Sequence, residues 1–197
     1  LSSVSDTQFG SACSITWSPA SSTMYHKLRF SLGAWSYTTD AIHPGSTALY
    51  TYDEYVIPLV AANQIPNAES ATMTVTLYTY SDSACTSQVG AASSLSFTVT
   101  LPSSVKPTLS SCLASIDNSA NGTVAGWGVA VAGFTRLKIT ANASGAYGST
   151  ISRFILEGAY AETVSAAALN YTGGIIQSAG TKTVTISCVD SRGRRSE

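Results

Sequence analysis

Charged residues are scarce in this chain. Asp, Glu, Lys and Arg make up only 11% of the 197 residues, and the formal net charge is −1. This balance offers no long-range attraction toward nucleic acid or an anionic membrane surface. One dense basic run, residues 192–195, stands without further basic neighbours, and we interpret it as a solvated turn rather than a phosphate-binding patch. We therefore predict no nucleic-acid partner.

Long apolar runs are also missing. No stretch of 18 apolar residues occurs, so we predict no membrane insertion. The pattern of a secretory signal peptide is absent, and the chain begins with Leu1 rather than Met. We interpret the chain as a segment of something longer.

Residues that carry catalysis are few. His26 and His43 are the only two histidines, and neither has Asp and Ser partners signalled nearby. We expect His26 to be an exposed strand residue. Asp53 and Glu54 are adjacent in a predicted strand and point to opposite faces, so they cannot act together as a glycosidase pair. The glycine motifs that bind nucleotide phosphates are missing. We predict no catalytic residue, no metal site and no cofactor.

The four cysteines lack the spacing of a zinc site, because no Cys-x-x-Cys occurs. Two per half of the chain allow one bridge in each half, Cys13–Cys85 and Cys112–Cys188. The alternative is four thiols that behave as small apolar side chains. The sequence leaves both open.

Hydroxyl residues are abundant where charge is not. More than a quarter of the chain is Ser or Thr, while 44% is hydrophobic. Thr, Val and Tyr suit half-buried strands, and Ser and Gly suit turns. This composition predicts an all-β protein.

An internal repeat divides the chain. Three pairs of segments carry it: 25–31 with 134–140, the Gly-Ser-Thr tripeptides 45–47 with 148–150, and 72–77 with 181–186. Repeats of this kind are typical of modular arrays, which space, display or bind rather than catalyse. The alignment predicts that Leu28 and Leu137 occupy equivalent core positions.

The repeat predicts two tandem immunoglobulin-like antiparallel β-sandwich modules, residues 1–102 and 107–197, each of the usual size for that fold. Two prolines restrict the linker, Pro102 and Pro107, so we expect a semi-rigid, extended junction. The predicted strands are residues 12–18, 25–32, 50–59, 72–80 and 94–101, then 108–116, 134–141, 151–157 and 181–189. Residues 59–64 predict a helical turn.

The second module lacks a closing strand. In the first module, residues 94–101 follow the alternating strand 72–80, but nothing equivalent follows 181–189. We expect that the parent protein continues past Glu197. In this chain the edge of 181–189 is then exposed or filled by a neighbouring molecule.

Two aromatic residues are the candidates for ligand binding. Trp35 and Tyr37 come just after Gly33, at a predicted turn, so we expect them to be exposed. Tyr and Trp rings stack on sugars and anchor protein contacts. We predict that a glycan, if one binds, meets these two rings.

The end of the second module resembles a known family. Residues 148–151 read Gly-Ser-Thr-Ile before a strand, residues 180–185 form a Gly-Thr-x-Thr-Val-Thr strand, and residues 190–194 close with Asp-Ser-Arg-Gly-Arg. These signatures resemble the repeated immunoglobulin-like modules of minor structural proteins in siphophages of Gram-positive bacteria. In the first module, residues 25–28, the turn 65–67 and the pair Thr79-Tyr80 are similar too.

The resemblance implies a structural protein of the virion, near the tail tip or fibre, whose modules space or present receptor-binding parts. Its partners would be other tail proteins, with host cell-surface polysaccharide as a further candidate and homo-oligomerisation open. Two alternatives come from other classes: a secreted bacterial cell-surface adhesin, and a non-catalytic carbohydrate-binding domain of a cell-wall hydrolase.

Overall fold

The computed structural model describes the whole chain, Leu1–Glu197, and it is all-β, as the composition predicts. Every strand pair within its sheets is antiparallel. The chain divides into two compact units, Leu1–Ser104 (unit 1) and Val105–Glu197 (unit 2).

Unit 1 contains seven strands and one short 3₁₀ helix. The strands are β1 (Ser3–Ser5), β2 (Ser14–Trp17), β3 (Tyr25–Leu32), β4 (Trp35–Thr38), β5 (Tyr50–Tyr52), β6 (Ser70–Tyr80) and β7 (Ser93–Thr100), and the helix is Leu59–Gln64. They form a three-stranded sheet in the order β1-β2-β5 and a four-stranded sheet in the order β4-β3-β6-β7. The predicted strand 50–59 is continuous only over β5. After residues 53–54 the chain pairs again with the segment before β2 as an isolated bridge, Val56 with Ala12, and the Tyr55 carbonyl accepts the Cys13 N–H at 3.0 Å.

Period-two alternation explains the central strands of unit 1. In β3, His26, Leu28, Phe30 and Leu32 are buried while the residues between them are not. His26 was expected to be exposed, and that prediction is wrong because the residue has the same parity as Leu28. On the outer face of β6, hydroxyls pair across strands, as in the 2.9 Å hydrogen bond between Thr76 Oγ1 and Ser94 Oγ.

A two-residue turn joins β3 to β4. Leu32 pairs with Trp35, and Gly33 adopts a positive φ of 56°, which a side chain would disfavour. The Ala34 N–H then donates to Gln64 Oε1 at 3.0 Å. This bond holds the hairpin against the end of the 3₁₀ helix.

Unit 2 contains six strands. They are β8 (Thr108–Asp117), β9 (Arg136–Ser144), β10 (Ile151–Gly158), β11 (Glu162–Val164), β12 (Ala168–Ile175) and β13 (Val184–Asp190). Their two sheets have the orders β12-β9-β8 and β11-β10-β13. The buried core consists of Ile139, Ala141, Phe154, Leu156, Leu169 and Cys188.

The two units share one pairing scheme. In each, the second strand pairs with the first and fifth, and the third strand pairs with the fourth and sixth. The sixth strands, β6 and β13, are therefore equivalent, as the repeat predicts for segments 72–77 and 181–186. Unit 1 adds a seventh strand, β7, on the far edge of β6, whereas β13 is the last strand of its sheet.

The first part of the repeat is misaligned by one strand. Leu28 lies in β3, the third strand of unit 1, but Leu137 lies in β9, the second strand of unit 2, so the two are not equivalent. Both face inward, because an alternating pattern specifies which side chains point to the core. The same pattern does not specify which strands pair with each other, and for this reason the sequence alignment placed Leu28 and Leu137 in equivalent strands.

All four cysteines are free thiols, so of the two alternatives that the sequence left open the structure has the four thiols and neither possible bridge. Cys13 precedes β2, and Cys85 follows the end of β6, which pairs with the start of β3. Because β2 and β3 are connected at the other end of β2, these two thiols lie at opposite ends of unit 1. A disulfide requires Cα atoms within about 7 Å.

Candidate functional site

The two aromatic residues that the sequence predicts as ligand-binding candidates, Trp35 and Tyr37, differ in exposure. Tyr37 lies in β4 opposite Phe30, and 41% of its surface is exposed. Trp35 lies opposite Leu32, on the same face of the hairpin as Tyr37, and is only partly exposed. Tyr37 is therefore the better placed of the two for contact with a ligand.

Tyr37 is the outer member of a stack of three rings, Phe30, Tyr55 and Tyr37, which we call the tyrosine stack. The Phe30 and Tyr55 centroids are 4.3 Å apart, and the Tyr55 and Tyr37 centroids are 4.5 Å apart with an interplanar angle of only 6°. Burial raises the pKa of Tyr55, whose hydroxyl is buried without a hydrogen-bond partner. The Tyr37 ring therefore packs on the buried Tyr55 ring and remains exposed to solvent.

A second exposed aromatic lies on the loop between β8 and β9. Trp127 is 53% exposed, more than Tyr37. The loop is held by Asn118, whose Nδ2 donates to the Trp127 and Val129 carbonyls at 2.8 and 3.0 Å, and whose Oδ1 accepts from Thr135 Oγ1 at 2.5 Å. The glycine-rich sequence gave no periodicity from which this arrangement could be predicted. The signal that could have found it is a Trp isolated among glycines.

The turn 190–194, which carried the family resemblance, is structural. Asp190 is buried, and its Oδ1 accepts the backbone N–H groups of Arg192 and Arg194 at 3.0 and 2.9 Å. The Arg192 guanidinium donates to the Ala146 and Tyr147 carbonyls at 2.6 and 2.7 Å. These bonds close the turn and attach it to the loop between β9 and β10.

The remaining basic side chains of this run also have protein partners. Arg194 Nη1 donates to the Val105 carbonyl at 2.7 Å. Arg195 forms a 2.5 Å ion pair with Glu157 and donates to Ser187 Oγ at 2.7 Å. The run is therefore neither a phosphate patch nor a simply solvated turn, because its guanidinium groups satisfy backbone carbonyls and a carboxylate of unit 2.

Unit 2 contains an apolar cleft of about 590 Å³, which we call the unit 2 cleft. It lies between the two sheets, because its lining comes from β8, β9 and β12 of one sheet and from β13 of the other. The lining residues are mainly aliphatic: Cys112, Ala114, Leu137, Ile139, Ala159, Tyr160, Ile175, Ile176, Gln177, Ser178, Lys182, Val184 and Ile186. A cleft of this size and polarity is in the range of ligand-binding sites.

Acidic residues do not converge into an ion site. No group of three or more His, Cys, Asp or Glu side chains is arranged to hold a metal ion. The Asp82 carboxylate accepts the Thr86 and Ser87 backbone N–H groups, and these bonds lower its pKa. The one helix of the structure, Leu59–Gln64, has only six residues and is too short to cross a membrane.

These features define a class: a two-unit all-β protein with exposed aromatic rings and an apolar cleft. Over residues 1–197 the chain matches the family described as "Siphovirus protein of unknown function (DUF859)", and it belongs to that family. A search of the curated proteins found no match. The chain is thus a siphovirus protein, which confirms the siphophage part of the resemblance noted in its turns and strands.

Proposed function

We propose that this chain is a structural segment of a siphophage tail, in the fibre or tail tip, that spaces or presents host-binding parts. Membership in a siphovirus family supports a phage component and favours it over a bacterial adhesin. The observation that carries the proposal is the pairing scheme shared by the two units. Serial copies of one β-unit are typical of proteins that extend and display.

The sheets of unit 1 support the immunoglobulin-like part of this proposal. Seven strands form two antiparallel sheets with a buried Trp17 between them. Sheets of this kind pack around one core and leave their outer faces polar, here with Ser and Thr side chains. Such a unit is rigid and carries few charges, which suits a spacer.

The test is the location of the protein in the phage. Particles purified by density gradient would be analysed by mass spectrometry and labelled with an antibody raised against residues 1–197. We expect the protein in the particles, with label at the tail. Detection only in the infected-cell lysate, with a major tail protein present in the particles as control, would contradict the proposal.

Glycan binding is a second candidate function, favoured by the tyrosine stack. The Tyr37 ring stacks on Tyr55 and is nevertheless 41% exposed, and exposed aromatic side chains can stack on sugar rings. Cell-wall polysaccharide of the host would be titrated with the chain. We expect Tyr37→Ala to weaken binding by about tenfold, as for a recognition aromatic. Tyr78→Ala, on β6, is the matched control. Equal binding by the unmodified chain, Tyr37→Ala and Tyr78→Ala would show that the tyrosine stack does not bind the glycan.

A further inference from the structure

The edge strands β4 and β5 lie at the same side of unit 1. At the other side, β1 and β7 end the two sheets and contact each other. The ring stacking of Tyr37, in β4, on Tyr55, three residues after β5, joins the two sheets at the first side. This side of the sandwich is therefore formed by β4 and β5, and neither has a further strand beyond it.

Tyrosine side chains from both edge strands meet at this side. Residues directly opposite each other in an antiparallel pair point to the same face of the sheet. Tyr37 pairs with the buried Phe30, so its ring points between the sheets. Tyr52 pairs with the buried Ile15 and points between the sheets as well. Both rings still reach solvent, because Tyr37 is 41% exposed and Tyr52 is half-buried.

An interruption of the strand places two carboxylates beside these rings. The strand β5 ends at Tyr52, and pairing resumes only at the bridge between Val56 and Ala12. Strict alternation from Tyr52 would turn Glu54 inward, but Asp53 and Glu54 are both exposed. Neither carboxylate takes part in an ion pair. Two negative charges without a cationic partner therefore stand at the edge where the tyrosine rings reach solvent.

The charges around this edge favour a cation. Burial is the main cause that raises the pKa of Tyr52, and the charges of Glu54 and Tyr37 raise it further, so both lie close to the Tyr52 hydroxyl. The only Lys and Arg side chains of unit 1, Lys27 and Arg29, alternate with buried residues of β3 and therefore point to the outer face of their sheet. An anionic polymer would be repelled here, and a cation would be attracted.

We propose that Tyr37, Tyr52, Asp53 and Glu54 form a binding site for a glycan that carries a protonated amino group, and we call it the amino-sugar site. The sugar ring stacks on Tyr37, while the ammonium group contacts the carboxylates and the tyrosine faces. Aromatic faces attract cations through their quadrupole, and a carboxylate strengthens the contact as a charged hydrogen-bond acceptor. The inference rests on the glycan binding proposed above for the tyrosine stack and narrows it to cationic amino sugars.

The test compares two oligosaccharides that differ in their amino groups. One consists of four β-1,4-linked glucosamine units, and the other is its fully N-acetylated form. Each is titrated calorimetrically into the full chain at low salt and pH 6, where the free amino groups are protonated. We expect the acetylated form to bind about fivefold more weakly, the scale of one exposed ion pair or cation–π contact. Equal affinities would overturn the role of the ammonium group.

Three variants test the residues of the site. Glu54→Gln removes an exposed charge at constant size and should weaken binding of the glucosamine oligomer about fivefold, with no change for the acetylated form. Adding Asp53→Asn should weaken it further. Asp82→Asn is the matched control, because it removes the same charge between β6 and β7 and keeps an acceptor oxygen for the Ser87 N–H. An equal loss in Asp82→Asn would show that binding follows net charge alone and would overturn the site.

Two further measurements separate this inference from glycan binding in general. Host cell-wall polysaccharide is titrated before and after N-acetylation of its free amino groups. If Tyr37→Ala weakens binding of the polysaccharide and N-acetylation does not, the tyrosine stack binds a glycan and the preference for an amino sugar is overturned. If neither the polysaccharide nor the glucosamine oligomer binds, both are overturned. Tetralysine carries the same charge without a sugar, so tighter binding of tetralysine than of the glucosamine oligomer would overturn the sugar as the ligand class.

Discussion

The imidazole of His26 lies edge-on to the indole of Trp17, with ring centroids 5.5 Å apart and an interplanar angle of 66°. Because Trp17 is in β2 and His26 is in β3, this contact joins the two sheets of unit 1. Both residues are almost fully buried, and neither Trp17 Nε1 nor His26 Nε2 has a hydrogen-bond partner. A charge on this imidazole would be poorly solvated.

The first prediction is a loss of stability in mild acid. Burial, and secondarily the charge of His43, lower the pKa of His26 below its usual 6.5. As the pH falls through 6.5, the unfolded chain binds a proton that the folded chain does not, so the unfolded state is favoured. The melting temperature of unit 1 should fall between pH 7.5 and 5.5, as followed by circular dichroism.

His26→Gln removes the titrating group and should flatten this pH dependence, whatever its effect on absolute stability. His43→Gln is the comparison: His43 is exposed, and because its charge is the smaller of the two causes that lower the pKa of His26, this variant should keep most of the pH dependence. An unchanged slope in His26→Gln would show that another group is responsible.

The second prediction separates two leucines that the sequence pairs. Leu28 is fully buried in β3, so Leu28→Ala should lower the free energy of unfolding of unit 1 by about 2–5 kcal/mol. Leu137 borders the unit 2 cleft and lacks contacts on one side, so Leu137→Ala should cost unit 2 less than that. Urea unfolding of each variant measures the two losses in the free energy of unfolding. Equal losses would mean that the cleft is filled in solution.

The third prediction concerns the turn 190–194. Asp190→Ala leaves the backbone N–H groups of Arg192 and Arg194 without their acceptor, which should cost about 1–3 kcal/mol of the free energy of unfolding of unit 2. Asp190→Asn keeps an acceptor oxygen and should cost less. Asp82→Ala is the comparison, since that carboxylate is exposed and also accepts backbone N–H groups. A smaller effect at Asp190 than at Asp82 would contradict the structural role of the turn.

The fourth prediction orders the thiols by reactivity. Cys112 is exposed and should react first with a disulfide reagent at pH 8, followed by the partly buried Cys85, whose pKa is raised mainly by burial. Burial raises the pKa of Cys13 to about 11, so about one thousandth of it is thiolate at pH 8. Cys13 and Cys188 should react only in denaturant. A count of two reactive thiols in total, even after unfolding, would reveal a bridge.

Several strands could be predicted from the local alternation of apolar and polar residues. The strand β3 was predicted with its observed bounds, and β6, β7 and β8 within two residues at each end, because alternation and bounding turns are properties of neighbouring residues. The short strands β1 and β4 were not predicted, since three or four residues carry too little periodicity. Of the two candidate aromatic residues, Tyr37 is exposed and Trp35 is half-buried although both lie on one face of β4, so alternation along the strand could not predict the difference.

The amino-acid sequence by itself determined the all-β class, the inward parity of residues such as Leu28 and Leu137, and the hydroxyl-rich outer faces, because all three depend on composition and on a period of two. Only the tertiary structure decided that Leu28 lies in a third strand and Leu137 in a second one. It also decided that β13 ends its sheet beside an apolar cleft. The physical reason is that strand pairing joins residues far apart in the chain, and equally alternating strands can occupy either place in a sandwich.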